Sequence, residues 1–296
     1  MAKTIHCELL GSQTGYYQTR SYRTRVIEVE NEKTPLICIH GGGGHAESFA
    51  RNIVPLSEVS RPMALDLIWH GLSSKPPFWD GKPRSGRFWL NQFTDQILEL
   101  MDFRGIRLAV IEGQSLGGWI ALDLALRFPE RVAGLILNTA WGITFDPTKV
   151  KESKSDLDAL LKSSLEALNN PSPESIRRRM EWVMPLGGIT DEIVELRRQM
   201  WTVEGARAAL TDYYRHLFQP STEEALFTEK DIGQVKTRTL VIWTDHNPLQ
   251  GVDAARRIGE LMSSAKVVVL ENAGHWCQWE RAAEHNEAVR NFLARL

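Results

Sequence analysis

The chain has no apolar stretch approaching the roughly 20 residues that cross a bilayer, and its first residues lack the apolar core of a secretion signal. Cysteine is scarce. Cys7, Cys38 and Cys277 stand far apart without metal-ligand spacing, so no metal site is expected and a reducing cytoplasm is the expected compartment. Neither sign of charge dominates. A formal net charge of -2 removes the electrostatic case for nucleic acid or an anionic membrane surface as partner. Internal repeats and low-complexity segments are also missing. What remains is an ordinary globular composition. The 296 residues, 43% hydrophobic and 24% charged, suffice for one large α/β domain or a core domain with an insertion. Several of the 10 tryptophans cluster near the motifs described below, where an aromatic-lined pocket for a small molecule is expected.

Apolar runs at strand length alternate with segments of helical period. From about Cys7 to Val29, polar residues alternate with Tyr16, Tyr17, Tyr22 and Val26, predicting an antiparallel pair at a sheet edge. Buried strands are predicted at Pro35–Ile39, Met63–Leu67, Leu108–Ile111, Val132–Leu137, Thr239–Trp243 and Lys266–Leu270. Helices are predicted at about Phe88–Phe103, after the third run, and at about Ala283–Leu296. This alternation implies an α/β fold with a mainly parallel central sheet and helices on both faces. From about Thr144 the strand runs stop, charges thicken, and Pro171, Pro173, Pro185 and Gly187-Gly188 punctuate helical segments. The expected organisation is a core domain, 1–143 with 231–296, and a helical cap inserted at 144–230.

The most informative residues are Gly113-Gln114-Ser115-Leu116-Gly117. They fall where the run Leu108–Ile111 gives way to Leu116, Ile120, Leu124 and Phe128, one stripe of a helix. A serine at such a corner is held in a tight turn with its hydroxyl clear of the sheet. Serine needs a base to take its proton, and the candidate is His275, just beyond the last strand in Asn272-Ala273-Gly274-His275-Trp276. The order nucleophile, acid, histidine suits this arrangement. An oxyanion hole needs two converging N–H donors. Leu116 opens the helix and supplies one; the run Gly41–Gly44, around Gly42 and Gly43, supplies the other, because glycine permits close backbone approach. His40, beside that run, serves the site or makes a structural hydrogen bond. The orienting acid is less determined. The loop Thr244-Asp245-His246-Asn247-Pro248 offers Asp245 as its carboxylate and Asn247 two residues on. Asp253 lies further along, and Asp66 is expected to tie down its own loop.

With these residues assembled, the chain resembles an α/β-hydrolase along nearly its whole length, and within that group the meta-cleavage product hydrolases of aromatic degradation. Gly274-His275-Trp276-Cys277-Gln278-Trp279-Glu280 is similar to their GHWxQWE signature, and Thr190–Arg198 resembles a cap segment whose arginine binds the substrate. The resemblance implies an α/β-hydrolase fold with a cap, Ser115 as nucleophile, His275 as general base, and no cofactor. It also implies that Trp276 and Gln114 line the pocket, that Arg197 pairs with a dienoate carboxylate or 2-oxo group, and that copies of the chain often assemble as homo-oligomers. The chain departs from the family at three places. Gln114 stands where asparagine usually precedes the serine, Arg198 stands where an aromatic usually follows the arginine, and Asn247 occupies the position of the acid. The expected activity is C–C bond hydrolysis of a 2-hydroxy-6-oxo-hexa-2,4-dienoate. The alternatives are a carboxylesterase using the same serine, or a non-catalytic ligand-binding protein on this fold.

Overall fold

The computed structural model describes residues 4–77, 86–152, 154–217 and 220–296. Its centre is one eight-stranded sheet. In chain order the strands are β1 (Gln13–Gln18), β2 (Arg23–Glu28), β3 (Pro35–Ile39), β4 (Arg61–Leu65), β5 (Ala109–Gln114), β6 (Val132–Asn138), the short β7 (Ile143–Thr144) and β8 (Phe227–Thr228), then β9 (Thr239–Thr244) and β10 (Ala265–Leu270). The main sheet runs β1-β2-β4-β3-β5-β6-β9-β10. Only β1–β2 and β2–β4 pair antiparallel; every other neighbour is parallel. β3, β6 and β9 read as largely apolar runs because the sheet is covered on both faces. Ile37, Ile39, Ile111, Leu135 and Val241 belong to one core, and Leu36, Cys38, Val110, Ile136 and Leu240 to the other. Alternate residues of a strand point to opposite faces, and both faces are dry.

The helices are α1 (Ile5–Glu8), α2 (Ala50–Leu56), α3 (Gly86–Phe103), α4 (Leu116–Arg127), α5 (Lys154–Asn169), α6 (Pro173–Val183), α7 (Asp191–Thr202), α8 (Ala206–Leu217), α9 (Pro220–Glu223), α10 (Glu229–Ile232), α11 (Val252–Leu261), α12 (Cys277–Glu280) and α13 (Ala282–Leu293). Phe93 and Ile97 of α3 pack in the first core with Ile120 and Leu124 of α4. Ile53 of α2 packs in the second with Val289 and Phe292 of α13. Between β7 and β8 the chain is helical, α5 to α9. The pairs Ile143↔Phe227 and Thr144↔Thr228 bring its two ends side by side.

Two expected elements differ in detail. The antiparallel pair begins at Gln13 rather than near Cys7, because the Thr4 side chain accepts from the Cys7 amide and starts the short α1. β4 runs from Arg61 to Leu65, two residues earlier than expected. Asp66 leaves the ladder because its carboxylate accepts from the Ala46 and Leu72 amides, both at 2.7 Å, and meets Arg25 at 3.2 Å. It ties down its own loop, as its position suggested. Among the described residues no helix is long and apolar enough to cross a membrane.

Candidate active site

At the carboxyl end of β5 the chain turns through Ser115, whose φ of 52° and ψ of -114° lie outside the usual regions for a side chain. The flanking glycines make that turn feasible. A Cβ on Gly113 would overlap the Gly117 carbonyl, and a Cβ on Gly117 would overlap the Ile39 carbonyl of β3. Strand, turn and helix therefore lie at backbone contact, and Leu116 follows the serine as the first residue of α4. Its amide has no intrahelical acceptor and is available to a ligand.

His275 reaches the same pocket from the loop after β10. Its backbone is held on both sides: its N–H donates to Val183 O at 2.6 Å, and its carbonyl accepts from Gln114 Nε2 and Thr139 Oγ1, both at 3.0 Å. Around it, both oxygens of Glu280 accept from the Gly274 and Trp276 amides. His275 Nδ1 lies 2.6 Å from Asn247 Oδ1. The Asn247 amide group in turn donates to Gln250 O at 2.7 Å, which fixes its oxygen toward the histidine. The histidine thus donates from Nδ1 and presents Nε2 for proton exchange. Of the two candidates in this loop, Asn247 and not Asp245 stands against His275. Asp245 turns away, accepting from the Asn272 and Ala273 amides and pairing with His246. The first residue past a parallel strand is well placed to cap the neighbouring loop, and Asp245 is used for that. Burial, with Arg179 nearby, pulls His275 down to about 3.

A pocket of about 520 Å³ opens over this corner, lined on the sheet side by Gly41, Gly42, Gln114, Ser115, Leu116, His275 and Trp276. Gly41 lies closest to the serine, since a Cβ there would touch Ser115 Cβ and the Gln114 amide. Gly43 does not line the pocket. Its carbonyl accepts from Trp201 Nε1 at 2.8 Å, and Tyr214 and Trp201 cover it. The expected donor of that run is therefore better sought at Gly41 or Gly42. His40 is also outside the lining. Its Nε2 accepts from the Leu67 amide at 3.1 Å while Nδ1 donates to Gly41 O at 2.7 Å, so it clamps the glycine loop from beneath. Both ring nitrogens are consumed, and burial holds the ring neutral, well below its ordinary pKa.

The other wall comes from the helices between β7 and β8. Arg197 of α7 is 2% exposed and lines the pocket, its guanidinium 4.7 Å from the Trp276 ring and 5.9 Å from Trp201. Its Nε and one terminal nitrogen are buried with no hydrogen-bond partner. Burial, and secondarily Arg179, pull it down to about 9, so it is still charged at neutral pH. Arg198 points outward and pairs with Glu195. Met184 and Met200 are buried without lining the pocket, whereas Trp182 lines it. Sequence reasoning missed Arg179, Tyr213 and Tyr214. For Arg179 a signal existed: in α6 the residues Ile176, Arg179, Met180 and Val183 form one buried face at helical spacing, so the third of three consecutive arginines points inward.

Among the described residues no group of His, Cys, Asp and Glu is arranged to hold a metal. A strained serine turn between β5 and α4, a histidine past the last strand and a glycine loop after β3, set on this sheet order, match a hydrolase architecture. The family model for the alpha/beta hydrolase fold matches residues 34–282, and the chain belongs to that family. Within it, the chain is similar to a 2-hydroxymuconate semialdehyde hydrolase of Pseudomonas putida, 28% identical over 92% of this chain and 91% of that one. It is also similar to a 2-hydroxy-6-oxononadienedioate/2-hydroxy-6-oxononatrienedioate hydrolase of Klebsiella pneumoniae, 27% identical over 93% and 92% of the two chains. Among solved structures, a meta-cleavage product hydrolase from Pseudomonas fluorescens superposes with a TM-score of 0.77 at 25% identity, covering 97% of this chain and 99% of that one.

Proposed function

We propose that this protein is a serine-dependent hydrolase cleaving a carbon–carbon bond of a 2-hydroxy-6-oxo-hexa-2,4-dienoate. The observation that carries the reading is Arg197, a buried guanidinium with unpaired N–H groups in the pocket that holds Ser115. An ester site has no need of such a cation. A dienoate carboxylate does, and a planar guanidinium matches it with paired hydrogen bonds. The similarity to hydrolases of this substrate type supports the same reading.

In this mechanism Arg197 holds the carboxylate and 2-oxygen while the dienol loses its hydroxyl proton and gains one at C5. The resulting 2-ketone makes the C5 fragment a stabilised leaving group. Ser115 Oγ gives its proton to His275 Nε2 and attacks the C6 carbonyl, or a water activated by the same pair does so. Charge on the C6 oxygen meets the Leu116 amide and the glycine loop. As C5–C6 breaks, its electrons pass into the enol of the departing fragment, and water releases the acid. Asn247 orients the imidazole but adds no charge to stabilise its protonated form.

The test compares bleaching of a yellow 6-phenyl dienoate with release from a p-nitrophenyl ester of similar size. The dienoate is expected to be turned over faster than the ester. Ser115→Ala should fold normally and lose at least roughly three decades of rate, on the scale seen when a triad nucleophile is removed. Fast ester turnover without bleaching would make the protein an esterase; near-normal rates in Ser115→Ala would remove the serine from the mechanism.

A further inference from the structure

The pocket contains a second buried cation that the chemistry above leaves unused. Arg179 of α6 is 3% exposed and lines the same cavity as Arg197. Its Nε donates to Ser164 Oγ of α5 at 2.7 Å, which fixes the guanidinium plane. One terminal nitrogen is buried with no partner. Its ring platform is Trp182, 5.5 Å away, and Trp182 meets the His275 ring at 6.3 Å. Arg197 rests instead on Trp276 and Trp201. The two guanidiniums therefore stand on different aromatic supports.

Among the described residues no aspartate or glutamate lines this cavity. The neighbouring arginines that do have carboxylate partners lie outward: Arg177 pairs with Asp191 and Arg198 with Glu195. Two like charges buried together without a counter-ion raise each other's cost, and Arg179 is one reason that Arg197 gives up its proton more easily than usual. A single carboxylate neutralises one of them. A ligand with two anionic groups neutralises both and meets the orphaned N–H groups on each platform.

We propose that Arg179 is a specificity-determining residue that binds a second carboxylate, carried on the acyl side of the substrate beyond C6, so that the pocket is built for a dicarboxylate. The placement rests on the function proposed above. With Arg197 on the dienoate end and Ser115 at C6, the Trp182–His275 side is left for the substituent on C6. Arg179 then rejects neutral, purely aromatic substituents in relative terms, because such a group would leave its charge buried and unpaired.

The experiment compares two dienoates that differ only in the C6 substituent, one phenyl and one an alkyl chain ending in carboxylate. The ratio of their kcat/KM values is read in wild type, Arg179→Met, Arg179→Lys and Arg197→Met. Wild type should favour the diacid at least tenfold. That ratio should collapse in Arg179→Met and return largely in Arg179→Lys, whereas Arg197→Met should lower both values and keep the ratio. Equal losses on both substrates in Arg179→Met, or a wild-type preference for the phenyl compound, would overturn the proposal. Dissociation constants of the same two compounds, measured by tryptophan fluorescence in Ser115→Ala with and without Arg179→Met, give the same ratio without turnover. If wild type bleaches neither dienoate, the C–C hydrolase reading fails; the binding ratio still decides whether Arg179 takes a second carboxylate.

Discussion

The residue that most separates this site from a charged triad is Asn247. Its oxygen meets His275 Nδ1, and its amide nitrogen is spent on Gln250 O, so the loop is built around an amide. A carboxylate in its place would set a negative oxygen against a carbonyl. Asn247→Asp should therefore cost about 1 kcal/mol in stability while speeding any step that needs a protonated histidine. The gain is bounded at roughly four decades, the interval between acid and amide in serine-protease triads. Denaturant melts paired with single-turnover rates check both halves. Asp245→Asn should behave differently, with a rate change below about tenfold, because its carboxylate holds the Asn272 and Ala273 amides rather than the histidine. A loss of several decades there would return the triad role to Asp245. The sequence could not choose between these residues. Both follow β9 within three positions, and which one faces His275 depends on the turn after Thr244. That turn is set by a distant contact, the His246 amide donating to Ala273 O, together with the local bond from Asn247 to Gln250 O.

At the scale of elements, the elbow at Ser115 packs backbone directly against backbone. Gly117→Ala would push a methyl group into the Ile39 carbonyl, backbone against backbone, with no flexible side chain to yield. The expected outcome is a loss of about 3 kcal/mol or failure to fold, read from thermal melts; an unchanged midpoint would mean that β3 and α4 are not in contact. This corner was legible in the sequence because it is local: an apolar run, two glycines and a four-residue stripe define it within about twenty positions. The sheet was legible for the same reason, since most of its buried strands carry a run of apolar residues. The glycine loop was legible only in part. Four consecutive glycines look alike in sequence, and the partners that separate them, Trp201 and Tyr214 above Gly43 and Gln114 beside Gly41, come from distant segments. Arg179 was hidden beside Arg177 and Arg178, and only the phase of its helix distinguishes it, whereas Arg197 was named through the resemblance of its segment.

For the whole molecule, burial of neutral histidine sets the response to acid. Burial lowers His40, His70 and His275 from the ordinary value near 6.5, His70 to about 4 and His275 to about 3. The unfolded chain takes up these protons as pH falls through 6.5, whereas the folded chain accepts them only well below it. The stability that these three rings contribute is thus complete above about pH 6.5 and drains away toward pH 4, with His70 alone accounting for about 3 kcal/mol at pH 4. Urea midpoints across that range should fall steeply; a flat profile would mean that these rings are hydrated. Each of His40→Ala and His70→Ala should flatten part of the slope.

The 2.6 Å bond from the His275 amide to Val183 O has a last implication. Val183 ends α6, the helix that also carries Arg179 and Trp182. Any displacement of α6 would have to break that bond or carry the histidine backbone with it. Helix and histidine loop are one fastening: whatever shifts the wall that carries Arg179 and Trp182 also shifts the ring that faces Ser115.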